Sequence, residues 1–341
     1  MKKNVDKLRG KPWMDLPADV VGDITLPKGF VTDEERRSYY YLGRHWISGE
    51  GQIIDAGACL GASAYCFAAG LARNPARGNT LVHSYDRFLV YENYVADCIK
   101  QNFRPLQQEW GDDFYDIFEY QIGKYQEFVK PHRGDFMLEK WNGSPIELLF
   151  IDLAKTKDLH DHIVEQFFPS LVPAQSLVMH QDFYFSWLPY IHTYMQYLSH
   201  RFEVVDPLIP SASRLYLLKD AITSSEIEHA RSMSPEERLD LLDKFIDGEK
   251  GDLRAMARVT KLVQLYLDEN TRGYEADSAK FIAEFGVHPE TAWGGQFAHL
   301  DGLHRERIRQ QHDARNVMAL GAIASASPSE AAAASTPDPV R

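Results

Sequence analysis

Gly51-Gln-Ile-Ile-Asp55-Ala-Gly57-Ala-Cys59-Leu-Gly61-Ala-Ser63 is the stretch that decides the fold. Its first part, Gly51 to Asp55 (GQIID), reads as a short buried strand, because brief apolar runs bounded by glycine suit strands covered on both faces. From Gly57 to about Arg73 the chain reads as a helix opened by a glycine-containing turn. Gly57 lets the backbone turn sharply and approach a ligand, and Gly61 lets the helix pack close to the strand. The first N–H groups of such a helix have no partner within it and are offered to an anionic group. Strand, glycine turn and helix in this order make a nucleotide-type loop. The dinucleotide pattern GxGxxG is absent, since the glycines are Gly57 and Gly61 with Cys59 between them. A tight turn with no ligand is the plain alternative.

Working outward, Thr80 to Asp86 reads as a second strand that ends in an acid. An acid there accepts hydrogen bonds from two ribose hydroxyls, or else caps the next helix. Further strands are expected at 146–152 (IELLFID) and 175–180 (QSLVMH), with a helix at Asp158–Phe168 between them. Trp187–His200 places Leu188, Ile191, Met195 and Leu198 at helical spacing. Phe202–Val205 and Ser213–Leu218 look like a closing hairpin. Upstream, Thr32 to Glu35 has the form of a helix start that runs to about His45. Strands alternating with helices predict an α/β fold, a doubly wound and mostly parallel sheet whose ligand lies at the carboxyl ends of the strands.

The chain has 341 residues, 37 Lys and Arg against 49 Asp and Glu, and a formal net charge of −12. That balance argues against a nucleic-acid partner, because phosphate contacts need clustered cations. Three cysteines with no CxxC pair argue against a disulfide framework and for a reducing compartment. The basic start has no apolar core behind it, and no run of about 18 apolar residues occurs, so a cytoplasmic protein without a membrane partner is expected. Residues 1–30, with Pro12, Pro17 and Pro27, read as an irregular arm, and 31–221 as the α/β domain. From 222 to 315 the pattern is helical, with a strong start at Ser234-Pro235-Glu236-Glu237 and a second helix at Gly251–Leu267. This extension is expected to act as a lid or a contact in a homo-oligomer. Residues 316–341 are expected to be a disordered Ala/Ser/Pro tail.

Asp55-x-Gly57-x-x-x-Gly61 resembles the first motif of class I S-adenosylmethionine-dependent methyltransferases. The resemblance covers roughly 30–220 and implies a Rossmann-like, mostly parallel seven-stranded sheet. It also implies that Asp55, Gly57, Ala58, Gly61, Ser63 and Asp86 bind S-adenosylmethionine, with Gly134 and Asp135 as the pair that holds adenine. Asp152 ends the strand at 146–152 and Lys155 follows three residues later, while His180-Gln181-Asp182 follows the next strand. Here the sequence is similar to catechol-type O-methyltransferases, and to macrocin-type sugar O-methyltransferases. The catechol type carries the same Asp and Lys, and an Asp-Asn pair where this chain has Gln181-Asp182. In that group the acids and the amide hold magnesium and the lysine is the base.

The resemblance implies O-methylation of a sugar or small-molecule hydroxyl. Mg2+ would sit on Asp152, Gln181 and Asp182, with Lys155 or His180 as base beside Asp152. The amide in the first acid's place leaves open a metal-independent enzyme that uses His180. A third reading is a non-catalytic protein that binds the cofactor and acts through its helical extension. His160 and His162 are expected at the surface, and His192 is expected to face the pocket. Phe183, Tyr184, Phe185 and Trp187 are expected to wall the acceptor side.

Overall fold

The computed structural model describes residues 5–108, 110–209 and 213–325. The chain begins with α1 (Asp6–Arg9), α2 (Ala18–Ile24) and α3 (Asp33–His45). Then follow β1 (Gln52–Ala56), α4 (Ala62–Leu71), β2 (Val82–Asp86), α5 (Asn93–Asn102), α6 (Tyr115–Ile122) and β3 (Val129–Arg133). β4 (Ile146–Ile151), α7 (Lys157–Phe167), β5 (Leu177–His180), α8 (Pro189–Tyr197), β6 (Phe202–Ile209) and β7 (Ser213–Leu218) complete the sheet and its covering helices. Among the described residues five further helices follow: α9 (Ser224–Ser232), α10 (Pro235–Gly248), α11 (Gly251–Leu267), α12 (Thr271–Phe285) and α13 (Ala292–Ser325).

The seven strands are ordered β3-β2-β1-β4-β5-β7-β6. Every pairing from β3 through β5 is parallel, and β7 runs antiparallel to both β5 and β6. This is a Rossmann-like, doubly wound α/β fold, as the alternation of strands and helices predicts. β1 lies between β2 and β4, so the strand order reverses at its carboxyl end, where such sheets place a ligand.

Both faces of the sheet are covered, which explains why β1, β4 and β5 are mainly apolar. Ile53, Leu148, Phe150, Leu177 and Met179 pack on one face with Tyr39 of α3, Phe67 of α4 and Phe118 of α6. Ile54, Leu149, Ile151 and Val178 pack on the other with Ile163 and Phe167 of α7, Ile191 and Tyr194 of α8, and Phe245 of α10. At the amino end, buried Glu147 accepts from the main chain of Ser48, Glu50 and Gly51 and fixes the turn that feeds β1.

Three sequence expectations change. The arm is not irregular: Leu8, Trp13, Val20 and Ile24 are buried in the core shared with α3 and α4. β3 was not predicted, because Val129-Lys-Pro-His-Arg133 is polar and holds a proline, which an edge strand tolerates. Of the expected tail, 316–325 continue α13, and 326–341 lie outside the described residues.

The chain divides into two compact units, residues 1–264 and 265–341. In the second unit Phe281, Phe285, Trp293 and Phe297 form an aromatic cluster between α12 and α13, and Tyr274 stacks on His304 at 3.9 Å. Among the described residues, no helix is long and apolar enough to cross a membrane.

Candidate cofactor and acceptor site

The carboxyl ends of β1, β2, β4 and β5 open into a cavity of about 930 Å³. Its walls include Gly57, Ala58, Cys59 and Ser63 from the glycine turn, Asp86, the Gly134-Asp135 pair, and Asp152, Lys155, Gln181 and Asp182. The sequence therefore placed most of its candidate residues in one space.

The turn has the conformation that its glycines permit. Gly57 and Gly61 have φ of 109° and 96°. A Cβ on Gly57 would lie 2.9 Å from the carbonyl carbon of Asp152, so the ends of β1 and β4 touch because this residue has no side chain. Cys59 is also left-handed, at φ 45°, and its N–H donates to Asp86 Oδ2 at 2.9 Å. Asp86 Oδ1 accepts from Phe88 N–H at 2.8 Å. Burial pushes the Asp86 carboxyl up and these backbone donors pull it down, with a net rise. Gly61 caps α4 and does not line the cavity. Asp135 accepts from Met137 N–H and from Arg87 Nη2 at 2.6 Å, so Asp135 and Arg87 pair with each other.

Asp55 is a correction. It is fully buried behind the turn, does not line the cavity, and accepts from Ser84 Oγ at 2.9 Å. Burial raises its carboxyl to about 7, against the lowering effect of the Ser84 and Ser63 hydroxyls. A carboxyl held above its unfolded value keeps its proton more tightly in the folded chain. Its ionisation then costs stability that is absent near pH 4 and grows until about pH 7. Asp55→Asn is accordingly expected to be more stable than the parent above pH 7, by about 2 to 4 kcal/mol. The two thermal midpoints should converge near pH 4. A constant difference across pH 4–8.5 would show that the Asp55 carboxyl is not raised.

At the ends of β4 and β5, the Lys155 ammonium bridges two acids. Nζ donates to Asp152 Oδ1 at 2.7 Å and to Asp182 Oδ2. Burial alone would lower the Lys155 ammonium, but Asp152 and Asp182 overcome it and raise it, so Lys155 stays charged. Asp152 is raised to about 7, by burial first, with Lys155 lowering it and Asp182 raising it. Tyr190 Oη donates to the Ala154 carbonyl at 2.8 Å and steadies the loop that carries Lys155.

His180 does not join them. Strand alternation turns it with Val178 away from Met179, to the face covered by α7 and α8. It is fully buried and stacks on His160 at 5.7 Å. Burial pushes it down to about 3, which keeps it neutral, and it does not line the cavity. His160 and His192 are fully buried as well, so neither the expected surface position of His160 nor the pocket-facing position of His192 holds. His162 is partly exposed, and its Nε2 pairs with the Glu139 carbonyl.

Magnesium on Asp152, Gln181 and Asp182 does not fit this arrangement. The ion requires hard oxygen ligands in near-octahedral array. Both carboxylates already converge on Lys155, and the Gln181 side chain bonds buried Glu35 of α3. Among the described residues, no group of three or more His, Cys, Asp or Glu is placed to hold a metal.

Phe185 and Trp187 line the cavity, while Phe183 and Tyr184 are buried core. Sequence reading missed Gly29 and Phe30 of the arm, Val31 next to it, and Tyr91 and Tyr94 before and in α5. Phe30 meets Tyr94 edge-on at 4.6 Å, with both rings about half exposed. Only the apolar character of Phe30 and Val31, next to the helix start at Thr32, hinted at them.

No family model matches the chain, and no curated protein matches it. Among solved structures it is similar to apo CalS11, a TDP-rhamnose 3'-O-methyltransferase of calicheamicin biosynthesis, with 16% identity and a TM-score of 0.40 over 63% of this chain and 93% of that one. It is similar to a putative RNA methyltransferase from Pyrococcus horikoshii, at 12% identity and a TM-score of 0.34 over 59% and 98% of the two chains. It is also similar to human N-acetylserotonin methyltransferase in complex with S-adenosylmethionine, at 13% identity and a TM-score of 0.30 over 65% and 63%. These three neighbours are methyltransferases with different named acceptors, and likenesses of this size decide nothing about the chemistry of this chain.

Proposed function

We propose that this chain is an S-adenosylmethionine-dependent methyltransferase that acts on a hydroxyl of a sugar or other small molecule. The observation that carries this reading is the shared cavity. A glycine turn and a strand-end acid stand on one side, and an acid–lysine–acid group stands on the other. The donor side fits the cofactor: the left-handed turn at Gly57 and Cys59 lines the cavity, and the first N–H groups of α4 lie beside Ser63. Asp86 would receive the ribose hydroxyls, Gly134 and Asp135 the adenine, and the amino end of α4 with Ser63 the carboxylate. When bound, S-adenosylmethionine supplies an electrophilic methyl group on a sulfonium.

The acceptor side then has two tasks. An ammonium has three donors, and Lys155 spends two on Asp152 and Asp182, which leaves one to orient the acceptor oxygen. Asp152, with a carboxyl near 7, is matched to take the hydroxyl proton at neutral pH. Lys155 is the orienting cation in this reading, and neither it nor His180 is the base.

Calorimetry with S-adenosylmethionine and S-adenosylhomocysteine, with and without EDTA, is the direct test. Binding in roughly the micromolar range, unchanged by EDTA, is expected. A chain that binds neither compound would overturn the proposal. Binding without methyl transfer to any of a panel of sugars, nucleotide sugars and phenols would favour a cofactor-binding protein without catalysis.

A further inference from the structure

We propose that Gln121 is a positioning residue for the methyl-donor side, holding the amino-terminal arm and the glycine turn at a fixed spacing. The proposal rests on the donor site described above and assigns a determinant outside its lining.

Gln121 sits near the end of α6, and its carboxamide uses every donor it has. Oε1 accepts from Lys28 N–H at 2.5 Å, and Nε2 donates to the Lys28 carbonyl at 3.0 Å. Nε2 also donates to the Leu60 carbonyl at 2.5 Å. One amide thus pairs with the arm main chain on two sides and with the glycine turn on the third. The residues next to both partners line the cavity: Gly29 to Val31 follow Lys28, and Gly57 to Cys59 precede Leu60.

The arm is anchored on either side of this span. Upstream, Asp23 accepts from Tyr65 and Tyr125 hydroxyls, both at 2.7 Å, and from Lys124 Nζ at 2.5 Å. Downstream, Arg36 donates to the Val31 carbonyl, and Thr32 caps α3. Gln121 holds the middle. There the arm is already against the turn's helix: a Cβ on Gly29 would fall 2.6 Å from Ala62 Cβ. Two walls this close form a defined slot only if their separation is fixed, because a shift of about 1 Å in such groups weakens a site without unfolding it.

The chemistry of the link is specific. Leucine fills similar space with no donor or acceptor. Glutamate keeps an acceptor for Lys28 N–H and sets a carboxylate against two carbonyls. Asparagine is one methylene too short to span both.

The test uses the full chain, Gln121→Leu and Gln121→Glu, and Tyr120→Ala as a control at the exposed neighbouring position. S-adenosylhomocysteine affinity is read by calorimetry, and hydrogen exchange is read on peptides covering 26–31 and 57–63 without ligand. Both Gln121 variants are expected to bind about tenfold more weakly. They should exchange faster in those two segments and keep protection elsewhere, while Tyr120→Ala changes neither readout. Turnover at saturating donor should be retained. Wild-type affinity and unchanged exchange in Gln121→Leu would overturn the proposal, as would loss of protection spread over the whole sheet. If the parent binds no adenosyl compound, the proposed function fails, and the unliganded exchange data still decide whether Gln121 couples the two walls.

Discussion

Asp86→Asn is expected to bind S-adenosylmethionine about 100-fold more weakly than the parent while keeping its fold. The Asp86 carboxylate accepts from the backbone N–H groups of Cys59 and Phe88, with the Arg87 N–H as a further backbone donor, and a carboxylate's remaining acceptor capacity faces the cavity. The carboxylate thus serves the loop and the ligand together. It holds Cys59 in a left-handed conformation unusual for a residue with a side chain, and it presents a charged acceptor to the proposed ribose. Asparagine keeps one acceptor and turns an NH2 towards a backbone N–H, so either Cys59 or Phe88 loses its partner. One ribose hydroxyl meets a donor in place of an acceptor. Hydrogen bonds to a charged acceptor are worth about 1.5–3 kcal/mol, which corresponds to roughly 10- to 100-fold in affinity for each. Calorimetry measures the loss, and circular dichroism with a thermal midpoint checks the fold. Unchanged affinity would move the ribose away from Asp86 and dissolve the donor half of the proposed site.

The contrast between Asp86 and Asp55 shows what the sequence could tell. Both are acids at the end of a strand, and both were expected to touch the cofactor. The central strands were legible because a strand buried on both faces carries an apolar run, as Ile53-Ile54 in GQIID and Leu148 to Ile151 in IELLFID do. The side to which a strand-end residue turns depends on register and on the neighbouring strand. Asp55 pairs in register with Ser84 of β2, whose hydroxyl draws its carboxylate inward. One strand over, Asp86 meets the N–H of a turn and remains at the cavity wall.

The same parity separates His180 from Gln181. One residue along β5 turns a group from the cavity end to the α7 and α8 face, so a histidine beside a plausible base position became a neutral core residue. Gln181 carried no visible partner in the sequence, because Glu35 lies 146 positions earlier and meets it only through the fold. The arm was illegible for a related reason. Its helices are too short to show a period, and Phe30 reaches the cavity through the Gln121 and Asp23 contacts, which no local pattern encodes.

Lys155→Met is expected to lower methyl transfer by about 10²–10³-fold, the cost typical of losing one donor aimed at a developing oxyanion. Affinity for S-adenosylhomocysteine should stay close to the parent's. The pH profile carries the sharper signal. In the parent the Asp152 carboxyl is raised to about 7, and the Lys155 ammonium is the strongest influence holding it from rising further. If Asp152 takes the acceptor proton, the parent's rate climbs with pH as that carboxyl ionises near 7 and then levels off. Without the ammonium, Asp152 faces Asp182 across the gap that Lys155 filled, and like charges favour keeping the proton. The climb must then move to higher pH in Lys155→Met, with a lower plateau because the orienting donor is gone. Lys155→Arg keeps the charge and so should hold the climb near the parent's position. Its plateau should still fall, because a planar fork cannot place three donors as an ammonium does. The two variants together separate charge from geometry. A Lys155→Met profile that falls in height with no shift would leave Lys155 as an orienting group and remove Asp152 as the base. A profile equal to the parent's would remove both from the reaction.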